Sequence, residues 1–203
     1  MMEQALSRKG QERREQILNA AVHEFTKQGY AHTTLKSVAL RARVQPSLVL
    51  YHFESVEAIF VEIVRREVLT GQQTAVDYVT RAKPGLDALL AMIDAMFDWI
   101  GNHRERQSLM CQFYALTFHN RVLQRLNAEI ALTGRRRIQG IIEQGQASGQ
   151  FGRGDAGALA DVIQALITGM VLRVGTDPEG SDPRTLRQSV LAATRAWVPI
   201  ARQ

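Results

Sequence analysis

The sequence predicts an all-α fold: an N-terminal three-helix unit of helix-turn-helix type, then a larger C-terminal helical region, about nine helices in all. Three observations predict it. Apolar residues recur at spacings of three and four in one segment after another, and no run alternates with period two. Glycine, proline and short polar residues stand between those segments, where helices start and stop. Aromatic residues make up 6% of the chain and prolines number 5, both low for a β-sandwich.

Residues 13 to 27 read as the first helix, because Ile17, Ala21 and Phe25 step by four with Leu18 and Val22 beside them. Gly29 ends it. Thr33 and Thr34 then offer caps for a second helix carrying Leu35, Val38, Ala39 and Ala42. After a break at Val44, Gln45-Pro46-Ser47 starts a third, since proline at a first turn forfeits no hydrogen bond. Phe53 closes it. Glu54 or Ser55 opens a fourth, with Ile59, Phe60, Ile63, Val64 and Val68.

Pro84-Gly85 marks the next joint, followed by a fifth helix with Leu86, Leu89, Leu90, Ile93, Phe97 and Ile100 and an end at Gly101-Asn102. A sixth helix is expected from Arg106 to His119 and a seventh from Val122 to Ala147, across Gly134 and Gly140. Residues 149 to 154 are a glycine-rich loop. Asp155 caps an eighth helix, on which Leu159, Val162, Ile163, Leu166 and Met170 are read as one stripe. A loop over Asp177-Pro178-Glu179-Gly180-Ser181 precedes the ninth, capped by Asp182 with Pro183 in its first turn and carrying Leu186, Val190, Ala193 and Trp197.

Composition narrows the function classes. At 203 residues the chain can bury a real core, in one large domain or two small ones. A single cysteine excludes a disulfide scaffold and a four-cysteine metal site. No uncharged apolar run reaches the about 20 residues of a membrane span, and no signal-peptide core follows Arg8 and Lys9. The expectation is a soluble cytoplasmic protein. The net charge is +5, from 25 Lys and Arg against 20 Asp and Glu. Residues 1 to 53 hold most of that excess, with Arg8, Lys9, Arg13, Arg14, Lys27, Lys36, Arg41 and Arg43 against Glu3, Glu12, Glu15 and Glu24. A basic end suits an anionic partner, of which nucleic acid is the commonest.

The second and third helices are short and joined by a tight turn, the outline of a DNA-reading helix-turn-helix; a helical hairpin buried in a core is the plainer alternative. Val49 and Phe53 face inward, and Leu48, Tyr51 and His52 are read as the outward face. Leu48 suits a thymine methyl, and Gln45 an adenine edge or a phosphate. Tyr51 and His52 suit phosphates, as do the N–H groups at the helix start beside Ser47. Thr34, Lys36, Arg43 and Pro46 complete the candidate DNA-binding set.

These residues carry a resemblance. The segment Arg14-Glu15-Gln16-Ile17-Leu18-Asn19-Ala20-Ala21-Val22-His23-Glu24-Phe25, then Gly29-Tyr30, Thr33-Thr34, the run from Val44 to Phe53 and Glu57-Ala58-Ile59, resembles the N-terminal domain of the tetracycline-repressor (TetR/AcrR) family. In the eighth helix Asp161 and Gly169-Met170-Val171-Leu172-Arg173, followed by Asp177-Pro178, are similar to regulators of the betaine type. The resemblance implies a homodimeric, double-stranded-DNA-binding repressor released from a palindromic operator by a small effector. It implies domains at 1–54 (helix-turn-helix) and 55–203 (ligand binding and dimerisation). Three positions depart from the family pattern: Arg43 stands where glycine is usual in the turn, Leu50 where tyrosine is common, and Val56 where lysine is usual.

The fifth to seventh helices are rich in large adaptable side chains. Met92, Met96, Trp99, Met110, Phe113, Tyr114 and Phe118 form the candidate ligand-binding set, with Asp94, Gln112 or His119 as polar contacts. Plain core packing is the alternative for each. The last two helices, with their apolar stripes and Gly169, form the expected dimer face. Two competing functions are weighed beside the ligand-released repressor. One is a helical enzyme with an apolar pocket, the other a DNA-binding regulator that takes no ligand. A void of about 300 Å³ or more argues against the latter.

Other signals carry little. Gly152-Arg153-Gly154-Asp155-Ala156-Gly157 matches a dinucleotide fingerprint, but no strand precedes it. Arg135-Arg136-Arg137 spreads around a helix and reads as solvated surface. His103, Cys111 and His119 are spaced too widely for a metal site. No catalytic set is visible and no cofactor is expected.

Overall fold

The structure is a computed structural model that describes residues 8–101, 103–177 and 182–197. Among the described residues it contains nine α-helices and one 3-10 turn. The chain divides into two compact units, 1–66 and 67–203.

In the first unit α1 spans Arg8–Gln28, α2 Leu35–Ala42 and α3 Pro46–His52, and α4, Val56–Arg81, begins. Helix α1 starts at Arg8, five residues before the expected start at residue 13. Its first turns are polar and carried by local pairs, Arg8 with Glu12 and Arg13 with Gln16. Ile17, Ala21 and Phe25 are fully buried, together with Val38, Val49, Ile59, Phe60 and Val64. The rings of Phe25 and Phe60 meet edge-on at 4.9 Å, and Tyr30 joins them from the 3-10 turn Tyr30–His32. Gly29 ends α1 with φ 80°, a value glycine adopts without strain.

The unit extends to Arg66 because ion pairs bind the start of α4 to α1. Glu62 accepts from Arg14 at 3.1 Å and from Arg66 at 3.0 Å, and Arg66 also donates to Glu15 at 2.6 Å.

The second unit holds the rest of α4, then α5 Leu86–Gly101, α6 Arg104–Thr117, α7 Arg121–Ala147, α8 Ala156–Thr176 and α9 Pro183–Trp197. Helix α8 packs on α6 and α7, and α9 packs mainly on α5. Asp155 caps α8 by accepting from the Ala158 N–H at 3.0 Å, and Asn120 caps α7 in the same way through Leu123. Arg187 of α9 binds Asp94 and Asp98 of α5 at 2.9 and 3.0 Å, and Asp98 also accepts from Tyr78 of α4.

The stripe read on α8 is corrected. Its buried side consists of Ala156, Ala160, Ile163, Met170, Val171 and Val174, whereas Val162 is 44% exposed and Leu166 half-buried. The helix is apolar over more than half its circumference, so periodicity could not say which part faces inward. By length and composition α8 is apolar enough to cross a membrane, yet it carries Asp161 and Arg173 and packs on two helices of its own unit. The Asp177 to Ser181 loop lies outside the described residues from 178 onward, as do Asn102 and the side chain of Trp197.

Candidate functional sites: the reading helix and the buried cavity

In the first unit the turn between α2 and α3 decides how the third helix is presented. Thr34 caps α2 through a reciprocal capping box, its side chain accepting from Ser37 N–H at 3.0 Å while Ser37 Oγ accepts from Thr34 N–H at 3.1 Å. Arg43 ends the helix in the left-handed region, φ 52° and ψ 45°, and is the only described non-glycine residue with positive φ. That conformation costs a non-glycine residue about 1 kcal/mol. Its backbone N–H bonds Leu40 O and Val44 N–H bonds Ala39 O, so the turn closes on α2. Gln45 then occupies the N-cap and Pro46 the first turn of α3.

The inward side of α3 is Val49 and Phe53, as expected. Its outward side is the expected one at Tyr51 but not at Leu48 and His52. Tyr51 is 74% and Leu50 55% exposed, with Gln45, Pro46 and Ser47 exposed as well. Leu48 and His52 are only half-buried flanks. The reason is angular: Ser47 and Tyr51 lie opposite Val49, while His52 is turned only about 60° from it. Burial beside Arg14 holds the His52 imidazole below its ordinary range. Lys36 is exposed on α2, as is Arg43 in the turn. Arg41 is drawn back to the unit by Glu24, at 2.9 Å.

In the second unit a cavity lies among α4 to α8. Met92, Met96, Trp99, Met110 and Tyr114 of the candidate set line it. Two members do not. Phe113 is fully buried behind the lining, its ring 5.5 Å from that of Tyr114. Phe118 is 80% exposed because α6 stops at Thr117, two residues before the expected end, and the chain turns to the Asn120 cap of α7. The suggested polar contacts also differ. Asp94 is bound to Arg187, Gln112 donates to Ser108 and His119 is exposed.

The polar groups that do line the cavity are Gln72 of α4, Tyr114 of α6, Arg137 of α7 and Gln164 of α8. Burial raises the Tyr114 phenol above its ordinary range, opposed by a hydrogen bond with Thr168. Trp99, 7% exposed, has a buried Nε1–H with no acceptor.

A legible signal existed for the missed residues. Val68, Gln72 and Ala75 share one face of α4, Ile130, Gly134 and Arg137 one face of α7, and Gln164, Ile167 and Val171 one face of α8. A polar residue interrupts an apolar stripe in each. The three arginines read as surface go three ways: Arg135 pairs with Asp161, Arg136 is exposed and Arg137 lines the cavity.

The cavity, which is partly open to solvent, admits water-sized molecules over about 100 Å³. That is less than the void set as the sign of a ligand pocket. Three of its walls are methionines, which rearrange at little cost, so a ligand can enlarge the space. Cys111 is half-buried beside Gly175, and burial raises its thiol above the ordinary range. Among the described residues no three His, Cys, Asp or Glu side chains gather in a metal-holding group.

The first unit thus presents a helix-turn-helix with one exposed helix edge, and the second a cavity lined mainly by apolar side chains. Residues 17–63 match the model for bacterial regulatory proteins of the tetR family, and residues 85–199 match the BetI-type transcriptional repressor C-terminal model. The chain belongs to the tetR family, with a C-terminal domain of BetI type. It is a transcriptional regulator, and the family is not one of enzymes.

The HTH-type transcriptional regulator BetI 2 of Chromohalobacter salexigens is 27% identical over 183 residues, covering 86% of this chain and 83% of that protein. A transcriptional regulator from Saccharomonospora viridis, solved in complex with choline, superposes with a TM-score of 0.83 at 23% identity, covering 95% of this chain and 100% of that one. The SmeT–triclosan complex superposes with a TM-score of 0.77, also at 23% identity, covering 91% and 90%. At these identities the solved structures establish the shared fold.

Proposed function

We propose that the chain is a homodimeric cytoplasmic repressor that leaves its operator when a small molecule enters the cavity of the second unit. The exposed edge of α3 carries this reading. Gln45, Ser47, Leu50 and Tyr51 stand clear of the core on a short helix, where they can reach the edges and phosphates of a major groove. Lys36 and Arg43 supply charge to the backbone beside them, and Thr34, Pro46, Leu48 and His52 set the helix and its flanks. In this assignment residues 1–54 read DNA, and 55–203 bind ligand and dimerise.

Dimerisation through α8 and α9 is supported by their exposed apolar surface. Val162, Ala165, Leu166 and Gly169 line a groove with Leu186 and Val190, and Gly169 has open space where a side chain would stand. A two-fold dimer presents two copies of α3 to major grooves about 34 Å apart, so its operator is palindromic. The ligand acts by favouring a dimer whose reading helices no longer match that spacing. The neighbours solved with choline and with triclosan share this fold and hold small molecules, and this supports an effector for this chain.

The test is titration of the purified protein with DNA from upstream of its own gene, at several salt concentrations, against nonspecific DNA. Selective binding that weakens steeply with salt is expected. Equal affinity for both DNAs at every salt concentration would overturn the reading.

A further inference from the structure

We propose that the cavity takes a small apolar molecule bearing a single carboxylate, held at its anionic end by Arg137 and the Trp99 N–H. This rests on the reading of the cavity as the effector site.

The charge balance of the lining comes first. Arg137 lines the cavity, and among the described residues no Asp or Glu does. Its neighbour Arg135 is neutralised by Asp161, whereas Arg137 has no ion pair or hydrogen bond among the described residues. A half-buried guanidinium without a counter-charge is stabilised by any anion that reaches it, and its planar fork matches a carboxylate. The Trp99 Nε1–H is a second donor left without an acceptor. A buried donor of that kind costs stability until something accepts from it. Gln72 and Gln164 add neutral amides.

The same features disfavour a cationic ligand. A quaternary ammonium would meet the like charge of Arg137 with no carboxylate to offset it. The indole that would otherwise receive it is already engaged, with Arg106 over its ring at 5.4 Å and Gly71 packed against it. One cationic side chain balances one negative charge, which fits a carboxylate better than a phosphate dianion. The remaining wall is apolar, with methionines from α5 and α6, and suits a short hydrocarbon body.

Calorimetric titration of the full chain with octanoate, 1-octanol and octyltrimethylammonium tests this, because the three probes share one hydrocarbon body. Octanoate is expected to bind at least about tenfold more tightly than octanol, and the ammonium not to bind. Arg137→Gln should weaken octanoate about tenfold or more and leave octanol within about twofold. Trp99→Phe should weaken octanoate by less.

Octanol or the ammonium binding as tightly as octanoate would overturn the carboxylate assignment and leave the cavity as an effector site. So would an Arg137→Gln protein that keeps its octanoate affinity. Failure of all three probes to bind would overturn both. The ranking of the probes on the unaltered chain decides the matter even if the variants fold poorly.

Discussion

Gly71 of α4 lies against the indole of Trp99 in α5, so closely that a Cβ on Gly71 would stand 2.9 Å from Trp99 Cδ2. The glycine sits mid-helix, where it weakens α4 by about 1 kcal/mol relative to alanine. It is therefore a packing residue, and the indole it admits forms one wall of the cavity.

Gly71→Ala tests that packing. Helix propensity alone predicts a gain of about 1 kcal/mol. The added methyl meets a rigid ring system rather than a flexible chain end, and such overpacking costs about 1–3 kcal/mol. A net loss of roughly 1 kcal/mol is expected, read as a lower urea midpoint at unchanged slope. A raised midpoint would mean that the ring retreats freely and that close approach is not the reason for the glycine.

Arg43 carries a second prediction. Arg43→Gly removes the left-handed strain of about 1 kcal/mol but adds unfolded-state entropy of nearly the same size. Stability should therefore rise by no more than about 1 kcal/mol. If the guanidinium grips a phosphate, the slope of log affinity against log salt should fall by about one unit. An unchanged slope would remove Arg43 from the DNA contacts.

The two sides of α3 should respond oppositely. Tyr51→Ala and Ser47→Ala touch exposed side chains, so unfolding should change by no more than about 0.5 kcal/mol while operator affinity falls. Phe53→Ala empties a buried site under Arg14, whose guanidinium lies 4.8 Å from the ring, and should cost about 3–5 kcal/mol. Full operator affinity in the Tyr51→Ala protein would relocate the reading surface. Retained affinity in a Leu48→Lys protein would be tolerable, because Leu48 is only a flank.

Acid should loosen the first unit through Glu15 and Glu62. The hydrogen bond from Arg66 holds the Glu15 carboxyl below its ordinary value of 4.5. Burial alone would raise Glu62, but hydrogen bonds from Arg14 and Arg66 together hold it below 4.5 as well. Both are lower in the folded state than in the unfolded one. Their contribution is therefore fully present above pH 4.5 and is lost as the pH falls below it. Arg66→Gln should flatten the pH dependence of stability in that range and leave the neutral-pH structure intact, as followed by helical circular dichroism. An identical acid profile would mean that other carboxylates govern acid unfolding.

The helix order and most helix ends were legible, because caps and apolar steps act locally. Thr34, Asp155, Pro46 and Gly29 stand where the structure uses them. The resemblance located the helix-turn-helix segment, since its signal runs through consecutive residues. The faces were harder. On α3 a rotation of about one residue moved Leu50 outward and Leu48 to the flank, and on α8 an apolar surface on more than one side hid which part was buried.

By itself, then, the sequence determined an all-helical chain with two short helices joined by a tight turn near its N-terminus. Short-range chemistry does this: capping, proline and glycine geometry and periodicity each depend on residues within a turn or two. Only the tertiary structure decided the cavity. It brought Gln72, Tyr114, Arg137 and Gln164 together from four helices and turned Phe118 away. It also left the Trp99 N–H without an acceptor. Those residues are distant in sequence, and whether one of them faces a void or a neighbour depends on how whole helices pack.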